Sequence, residues 1–272
     1  MKFEKMSKNN LANSIDIQSP YKLSEEQINS FRSNGFIKLK NVFSAETLNH
    51  YRTEITSMVF KLSKESRPME ERSTYEKAFL QIENMFLHSN IVKEFVSSPR
   101  LGRIATELMG TRGVRMYHDQ ALYKEAGGGH TPWHVDQVYW PFSTDKSITA
   151  WVPLVPISMR MGPLAFAPGS HKIEEYRNLI ISDESETKIQ QMMDDKRVPY
   201  SVSAFDLGEV SFHYGWTFHR ADENKTNIAR EVMTVIYMDI DMRITRKDEP
   251  WCPNTQSGEI PNNYKNFVIY EK

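Results

Sequence analysis

Trp133-His134-Val135-Asp136-Gln137, together with the later run Gly208-Glu209-Val210-Ser211-Phe212-His213-Tyr214-Gly215-Trp216-Thr217-Phe218-His219, decides how this chain of 272 residues is read. On an extended backbone, residues two apart project from one face, so the His134 imidazole and the Asp136 carboxylate can converge on a common atom. Alone, a His-x-Asp triplet is weak evidence. A neutral imidazole from the second run would complete a set of two histidines and one carboxylate, which grips octahedral iron on one face and leaves three adjacent positions open. A chelating keto acid fills two of those positions, and its far carboxylate needs a cation, for which the planar arginine fork is well shaped. Arg230 opens the apolar run Val232-Met233-Thr234-Val235-Ile236-Tyr237, so its charge is expected to be buried and to need a partner.

Around these segments the chain reads as mostly β. Runs rich in β-branched and aromatic residues recur at 114–123, 135–139, 148–155, 164–167, 210–213 and 231–239, separated by Gly, Pro and Asp. Before them lies a mainly helical flank, residues 21–110. Ser24 and Gln27 are spaced as a capping box for a helix over 23–34 that Gly35 ends, and Phe36-Ile37-Lys38-Leu39-Lys40 alternates as a strand should. Ser44 caps a second helix over 45–64, and two short helices are predicted over 90–96 and 99–109, the latter stopped by Gly110. Residues 65–77 are charged and unpatterned, as in an exposed connection or flap. Residues 172–196 are acidic and helix-prone, as in an insertion over one mouth of a barrel.

Composition narrows the partners. With 34 Lys and Arg against 35 Asp and Glu, neither nucleic acid nor an anionic membrane surface is favoured, and a small-molecule substrate fits better. Cys252 is the one cysteine, so no internal disulfide or cysteine-rich metal cluster can form, and a cytoplasmic setting is expected. Residues 1–20 are polar, lack the apolar core of a secretory signal, and are expected to form a loose arm. No run of about 18 apolar residues offers a membrane span. We therefore expect one catalytic domain: the arm, the helical flank, a β-helix core over 111–246 with the insertion 172–196, and a C-terminal extension over 247–272. Oligomeric state is left open.

The two decisive segments, with Phe31-Arg32-Ser33-Asn34-Gly35-Phe36 and the turn Met161-Gly162-Pro163-Leu164-Ala165-Phe166-Ala167-Pro168-Gly169-Ser170-His171, resemble the phytanoyl-CoA dioxygenase family of Fe(II)/2-oxoglutarate oxygenases. The likeness runs from Phe31 to Asp239. It implies a double-stranded β-helix, a jelly-roll or cupin-like core, with His134, Asp136 and His219 as the iron ligands and catalytic centre. In that family the arginine that holds 2-oxoglutarate follows the distal histidine by eleven positions; this pairs Arg230 with His219 and leaves His213 as an inward-facing neighbour. The resemblance also implies Gln120 and Trp151 near the co-substrate. Where members often carry Ser or Thr two positions after the distal histidine, this chain has Ala221, so another hydroxyl or a water is needed to complete the carboxylate's hydrogen bonds.

The cofactors implied are Fe(II), 2-oxoglutarate and O2, and the expected reaction is hydroxylation of an unactivated carbon of a small molecule of secondary metabolism, with release of succinate and CO2. Desaturation, cyclisation or epoxidation, or an acyl-CoA substrate, are alternatives. Asp136 argues against a halogenase, where a small residue leaves room for a halide. A zinc hydrolase and a non-catalytic binding module are more remote readings. Trp133, Tyr139, Trp140, Phe142, Trp216 and Phe218 lie near the ligands in sequence and are candidates for lining a pocket. Residues 65–77 and 172–196 are candidate substrate lids.

Overall fold

The computed structural model describes residues 15–247 and 249–272, in which two antiparallel sheets face each other as a double-stranded β-helix requires. The large sheet is ordered β1 (Phe36–Leu39), β8 (Val210–Tyr214), β5 (Ser147–Pro153), β10 (Val232–Asp239), β3 (Gly113–Tyr123) and β11 (Val268–Glu271). A further strand, β2 (Leu80–Glu83), pairs with the second half of β3. The small sheet is ordered β4 (Thr131–His134), β9 (His219–Ala221), β6 (Leu164–Phe166) and β7 (Ser201–Val202).

Period-two alternation divides the work of the central strands. Val114, Ala150, Val152, Met233 and Val235 point outward into one apolar core beneath the helices, while His118, Gln120, Thr149, Trp151 and Thr234 point inward. The outer face is covered by α1 (Glu25–Asn34), α2 (Ala45–Leu62), α4 (Asn90–Val96) and α5 (Pro99–Met109), after the single-turn α3 (Thr74–Ala78). In α1 the expected capping box forms between Ser24 and Gln27, and Gly35 closes the helix at φ 83°, a conformation that favours glycine. Its buried Phe31 contributes about 1.5–3 kcal/mol by leaving water. In α2, Leu48, Tyr51, Ile55 and Val59 recur at three or four residues and all face the core.

Several sequence expectations change. The expected loose arm falls mainly on residues outside those described, but its last residues are seated: Ile17 is buried, its carbonyl accepts from the Arg100 amide, and Asp16 pairs with the Arg100 guanidinium at 2.8 Å. Of the expected C-terminal extension, Val268–Glu271 supply β11 to the large sheet and Trp251 reaches the interior cavity. Residues 65–77 are tied by Arg67 to Glu65 and Glu76, and by Arg72 to Glu125. The run 135–139 is not a strand. Asp136 takes helical dihedrals (φ −74°, ψ −39°) and a 3-10 turn, Gln137–Tyr139, follows.

The insertion 172–196 forms α6 (Asp183–Asp195), which lies on the outside of the small sheet. Ile189, Met192 and Met193 pack there on Trp133 and Phe218, while Glu186 and Ser185 bond the backbone of Trp133. Only Ile180 and Ile181, ahead of the helix, reach the cavity mouth. Among the described residues, no helix is long and apolar enough to cross a membrane.

Candidate active site

His134 ends β4 and His219 opens β9, and the register of the small sheet sets these two directly opposite each other. Their ring centroids are 4.1 Å apart. Asp136 reaches the same point from the turn after β4, so the convergence expected of an extended His-x-Asp is achieved by a bend instead. Its Oδ1 lies 3.6 Å from His134 Nε2 and 3.5 Å from His219 Nε2, and one ligand atom from each of the three residues falls within 4.8 Å of the others.

The tautomers follow from the neighbours. His134 Nδ1 lies 2.8 Å from the Pro132 carbonyl and His219 Nδ1 lies 2.9 Å from the Thr217 carbonyl. Each carbonyl can only accept, so each Nδ1 carries the proton and each Nε2 presents a lone pair to the shared point. Burial, then the nearby His134, holds His219 well below the ordinary histidine range, against the pull of Asp136. Burial opposes ionisation of Asp136, but His219, His134 and His213 outweigh it and keep the carboxyl well below its usual range. Two imidazole Nε2 atoms and one carboxylate oxygen thus face a single point, which is the donor set that a divalent first-row metal takes.

His213 is the buried neighbour expected from sequence. Its Nε2 is 3.2 Å from Asp136 Oδ2, the oxygen that also accepts from Thr149 Oγ1 at 3.1 Å. One carboxylate oxygen is thus fixed by the protein and the other is left to a metal.

The three residues open onto a cavity of about 460 Å³ between the sheets, also lined by Arg230, Trp151 and Gln120. Arg230 is 1% exposed. Its neighbour Glu231 is on the opposite face and held bidentately by Arg52 of α2, so the adjacent acid is already taken. The guanidinium donates to the Gly162 carbonyl and lies 5.4 Å from the Trp151 ring, but its Nε has no acceptor. Gly162 is itself demanded by the turn: at φ 66°, a Cβ would stand 2.0 Å from the Asp222 carbonyl oxygen. Burial pushes Arg230 down to about 9, the response of a cation kept from water without an anion. Trp151 Nε1 is likewise buried without an acceptor, whereas Gln120 already accepts from Gln81.

The hydroxyl lost at Ala221 has a counterpart that sequence reasoning missed. Thr131 pairs with Ala221 across β4 and β9, both face the cavity, and Thr131 Oγ1 lies 3.5 Å from Nζ of the buried Lys124. With Lys124 as donor, the threonine keeps its own O–H to give. Burial, then the neighbouring Arg230, pushes Lys124 down to about 6. The signal for Thr131 was its place three residues before His134, readable only once the strand pairing is known.

Of the six aromatic candidates, Tyr139 and Trp140 line the cavity. Trp133, Phe218 and Trp216 belong to the cluster under α6, and Phe142 packs with Tyr117 and Ile236 below the cavity. His171 stacks near Tyr214 and is not among the cavity residues.

The family model described as phytanoyl-CoA dioxygenase (PhyH) matches residues 31–232. A probable alpha-ketoglutarate-dependent hypophosphite dioxygenase of Stutzerimonas stutzeri is 22% identical over 222 residues, covering 78% of this chain and 77% of that protein. The ectoine dioxygenase of Bordetella bronchiseptica is 26% identical over 155 residues, covering 55% of this chain and 50% of that protein. Among solved structures, the non-heme alpha ketoglutarate dependent carbocyclase SnoK of nogalamycin biosynthesis superposes with a TM-score of 0.79 at 20% identity, over 93% of this chain and all of that one. EctD of S. alaskensis, solved with 2-oxoglutarate and 5-hydroxyectoine, superposes with a TM-score of 0.68 at 18% identity, over 91% of this chain and 90% of that one.

Proposed function

Since this chain belongs to the phytanoyl-CoA dioxygenase family, we propose that it is an Fe(II)/2-oxoglutarate-dependent oxygenase that hydroxylates an unactivated carbon of a small molecule, of the kind found in natural-product biosynthesis. The observation that carries the reading is the pairing of a three-donor metal site with buried, unanswered N–H donors in one cavity. A dicarboxylate answers both. One end chelates a metal, and the other accepts from Arg230.

In this reading His134 Nε2, Asp136 Oδ1 and His219 Nε2 hold the iron. Arg230 takes the far carboxylate of 2-oxoglutarate, with Thr131 replacing the hydroxyl absent at Ala221 and Trp151 Nε1 supplying a further donor. Leaving a buried N–H without an acceptor costs about 1–3 kcal/mol, so a carboxylate that accepts from Arg230 and Trp151 gains affinity on that scale. Gln120, already engaged by Gln81, orients the wall beside the co-substrate. When bound, iron, the keto acid and O2 supply the oxidation, in which the keto acid becomes succinate and CO2 and the second oxygen atom goes to the substrate. His213 and Thr149 hold Asp136 in position, and the apolar walls keep water from the reacting carbon.

The whole described chain acts as one catalytic unit. Tyr75, from 65–77, and Ile180 and Ile181, from 172–196, form the lids over the mouth. A cytoplasmic setting remains the expectation, resting on the lone and buried Cys252. Succinate formation dependent on Fe(II), 2-oxoglutarate and O2 tests the reading, and its replacement by Zn(II)-supported hydrolysis would overturn it. Products one oxygen heavier than substrate identify hydroxylation or epoxidation, which the product's NMR spectrum separates; products with no oxygen gained identify cyclisation, desaturation or epimerisation.

A further inference from the structure

Resting on the metal-centre reading above, the cavity also carries information about what enters it. Its lining contains four charged side chains: Asp136, Arg230, Arg220 and Glu83. Asp136 belongs to the metal and Arg230 to the co-substrate. Arg220 is neutralised by Glu186 at 2.9 Å and Asp222 at 3.1 Å. Glu83 remains, a partly buried carboxylate with no ion pair to any described residue.

Glu83 is held in place by neutral donors. Its Oε1 accepts from Gln81 Nε2 at 3.1 Å and its Oε2 from Trp251 Nε1 at 3.2 Å. Gln81 is itself fixed by the Tyr75 hydroxyl at 2.7 Å and by Gln120 at 2.6 Å, so the carboxylate is oriented by a network and not left to rotate. Burial raises its pKa, against the Trp251 hydrogen bond and the charge of Lys265, whose ammonium donates to the Pro250 carbonyl and makes no ion pair with Glu83. A carboxylate kept from water without a cation is a standing cost, and the natural relief is a positive charge brought in by a ligand.

The surrounding wall suits such a ligand. Trp251 lies over the His118 ring at 5.6 Å with an interplanar angle of 28°, His118 meets Trp140 edge-on at 6.4 Å, and Tyr75 meets Phe79 edge-on at 5.4 Å. Tyr139 closes the same cavity. Aromatic faces attract ammonium groups and, unlike water-exposed carboxylates, do so for quaternary nitrogen that cannot donate a hydrogen bond. The Tyr75 phenol, pushed up by burial and then by Tyr139, Asp136 and Glu83, lines the same cavity and donates to Gln81, the residue that also bonds Glu83. In the sheet, Glu83 lies across from Gln120 on β2, while Thr149 and His213, which hold Asp136, lie on β5 and β8. Glu83 and the three metal residues nevertheless line one cavity, so a molecule that fills it can touch Glu83 and turn a carbon toward His134, Asp136 and His219.

We propose that the substrate carries a positively charged nitrogen, a protonated amine or quaternary ammonium, which seats on Glu83 among the rings of Trp251, Trp140 and Tyr75 while its C–H bond is turned to His134, Asp136 and His219. An acyl-CoA, with its anionic phosphates, is disfavoured by the same carboxylate.

The test uses two probes of one shape: choline, and its uncharged isostere in which a tert-butyl group replaces trimethylammonium. Each is titrated anaerobically, by tryptophan fluorescence, into the full chain loaded with Fe(II) and 2-oxoglutarate. Choline should bind at least about 10-fold more tightly than the neutral alcohol. E83Q keeps an acceptor for Trp251 and should erase that preference, leaving the alcohol's affinity unchanged. W251F, which removes the hydrogen bond but keeps a ring, should lose less. The proposal is overturned if the wild type binds neither probe, binds both equally, or if E83Q, still folded by thermal melting, retains the preference. Loss of Fe(II)-dependent succinate in the wild type would instead strike the metal-centre reading, and the probe titration would still report on Glu83.

Discussion

Arg230 and Glu83 face one cavity, and each is a charge without an ion pair among the described residues. Arg230 precedes a central strand, is 1% exposed, and has its neighbouring acid drawn to the opposite face by Arg52. Glu83 ends a four-residue strand and is held by Trp251, from a segment beyond the core strands. The cation's place is set by the large sheet, whereas the anion's place is set by what is packed onto that sheet's edge. Chemistry shared by a family belongs on the rigid lattice of strands, and selectivity belongs to flanking segments that can change without disturbing it.

That contrast predicts a ranked set of effects. The largest comes from the metal end: D136A, which removes one ligand, should cut Fe(II)-dependent succinate formation by about 1,000-fold or more, beyond the 10–100-fold typical of a ligand's supporting neighbours. E83Q, which removes no metal ligand, should cost about 10-fold at most. If E83Q were as damaging as D136A, the division between the two ends would be wrong. Next is R230A, for which KM for 2-oxoglutarate should rise by about 10–100-fold, the loss expected for hydrogen bonds to a carboxylate. R230K should recover only part, because lysine keeps the charge but not the fork.

Smaller effects sharpen the picture. H213Q should weaken Fe(II) binding by about 10-fold in a metal titration, since Asp136 Oδ2 loses one of its two side-chain partners. T131V should raise KM for 2-oxoglutarate by about 5-fold with kcat little changed, and adding A221S directly across the strand pair should restore it. Failure of that rescue would show that Thr131 is not the substitute hydroxyl.

The least effect on catalysis is expected on the far side of β3. Asp119 is buried there with Oδ1 unpartnered, and burial pushes its carboxyl up to about 8. The folded protein thus holds a proton that the unfolded chain releases near 3.9, so this contribution to stability is complete below that pH and is lost as pH rises through 8. Melting temperatures of wild type and D119N should show that decline between pH 4 and 8 only in the wild type, with succinate formation at fixed pH alike in both.

The same contrast explains what was legible in the sequence. Helix ends were, because Ser24 with Gln27, Ser44, Gly35 and Gly110 act locally, and the observed α4 and α5 span the expected residues. His134, Asp136, His219 and Arg230 were legible through the family resemblance, whose spacing from distal histidine to arginine pairs His219 with Arg230, and the structure brings the four to one cavity. Asp136 was placed correctly but for an incomplete reason, since the chain bends where an extended pair was expected. The strand Leu-Gln-Ile-Glu of β2 was not legible: with polar residues on the inner face, four residues carry too little pattern to separate a strand from the end of the preceding helix. Trp251 was not legible because nothing local ties it to Glu83, and the insertion's apolar face gave no sign that it would cover the outside of the small sheet.

The most direct test of the central claim is an anaerobic titration of 2-oxoglutarate into the chain with and without Fe(II), followed by the visible charge-transfer absorbance of a chelated keto acid. The account predicts a band that requires iron, saturates at one equivalent, disappears in D136A and needs far more 2-oxoglutarate in R230A. Binding of 2-oxoglutarate that is indifferent to iron, or a band that survives D136A unchanged, would contradict it.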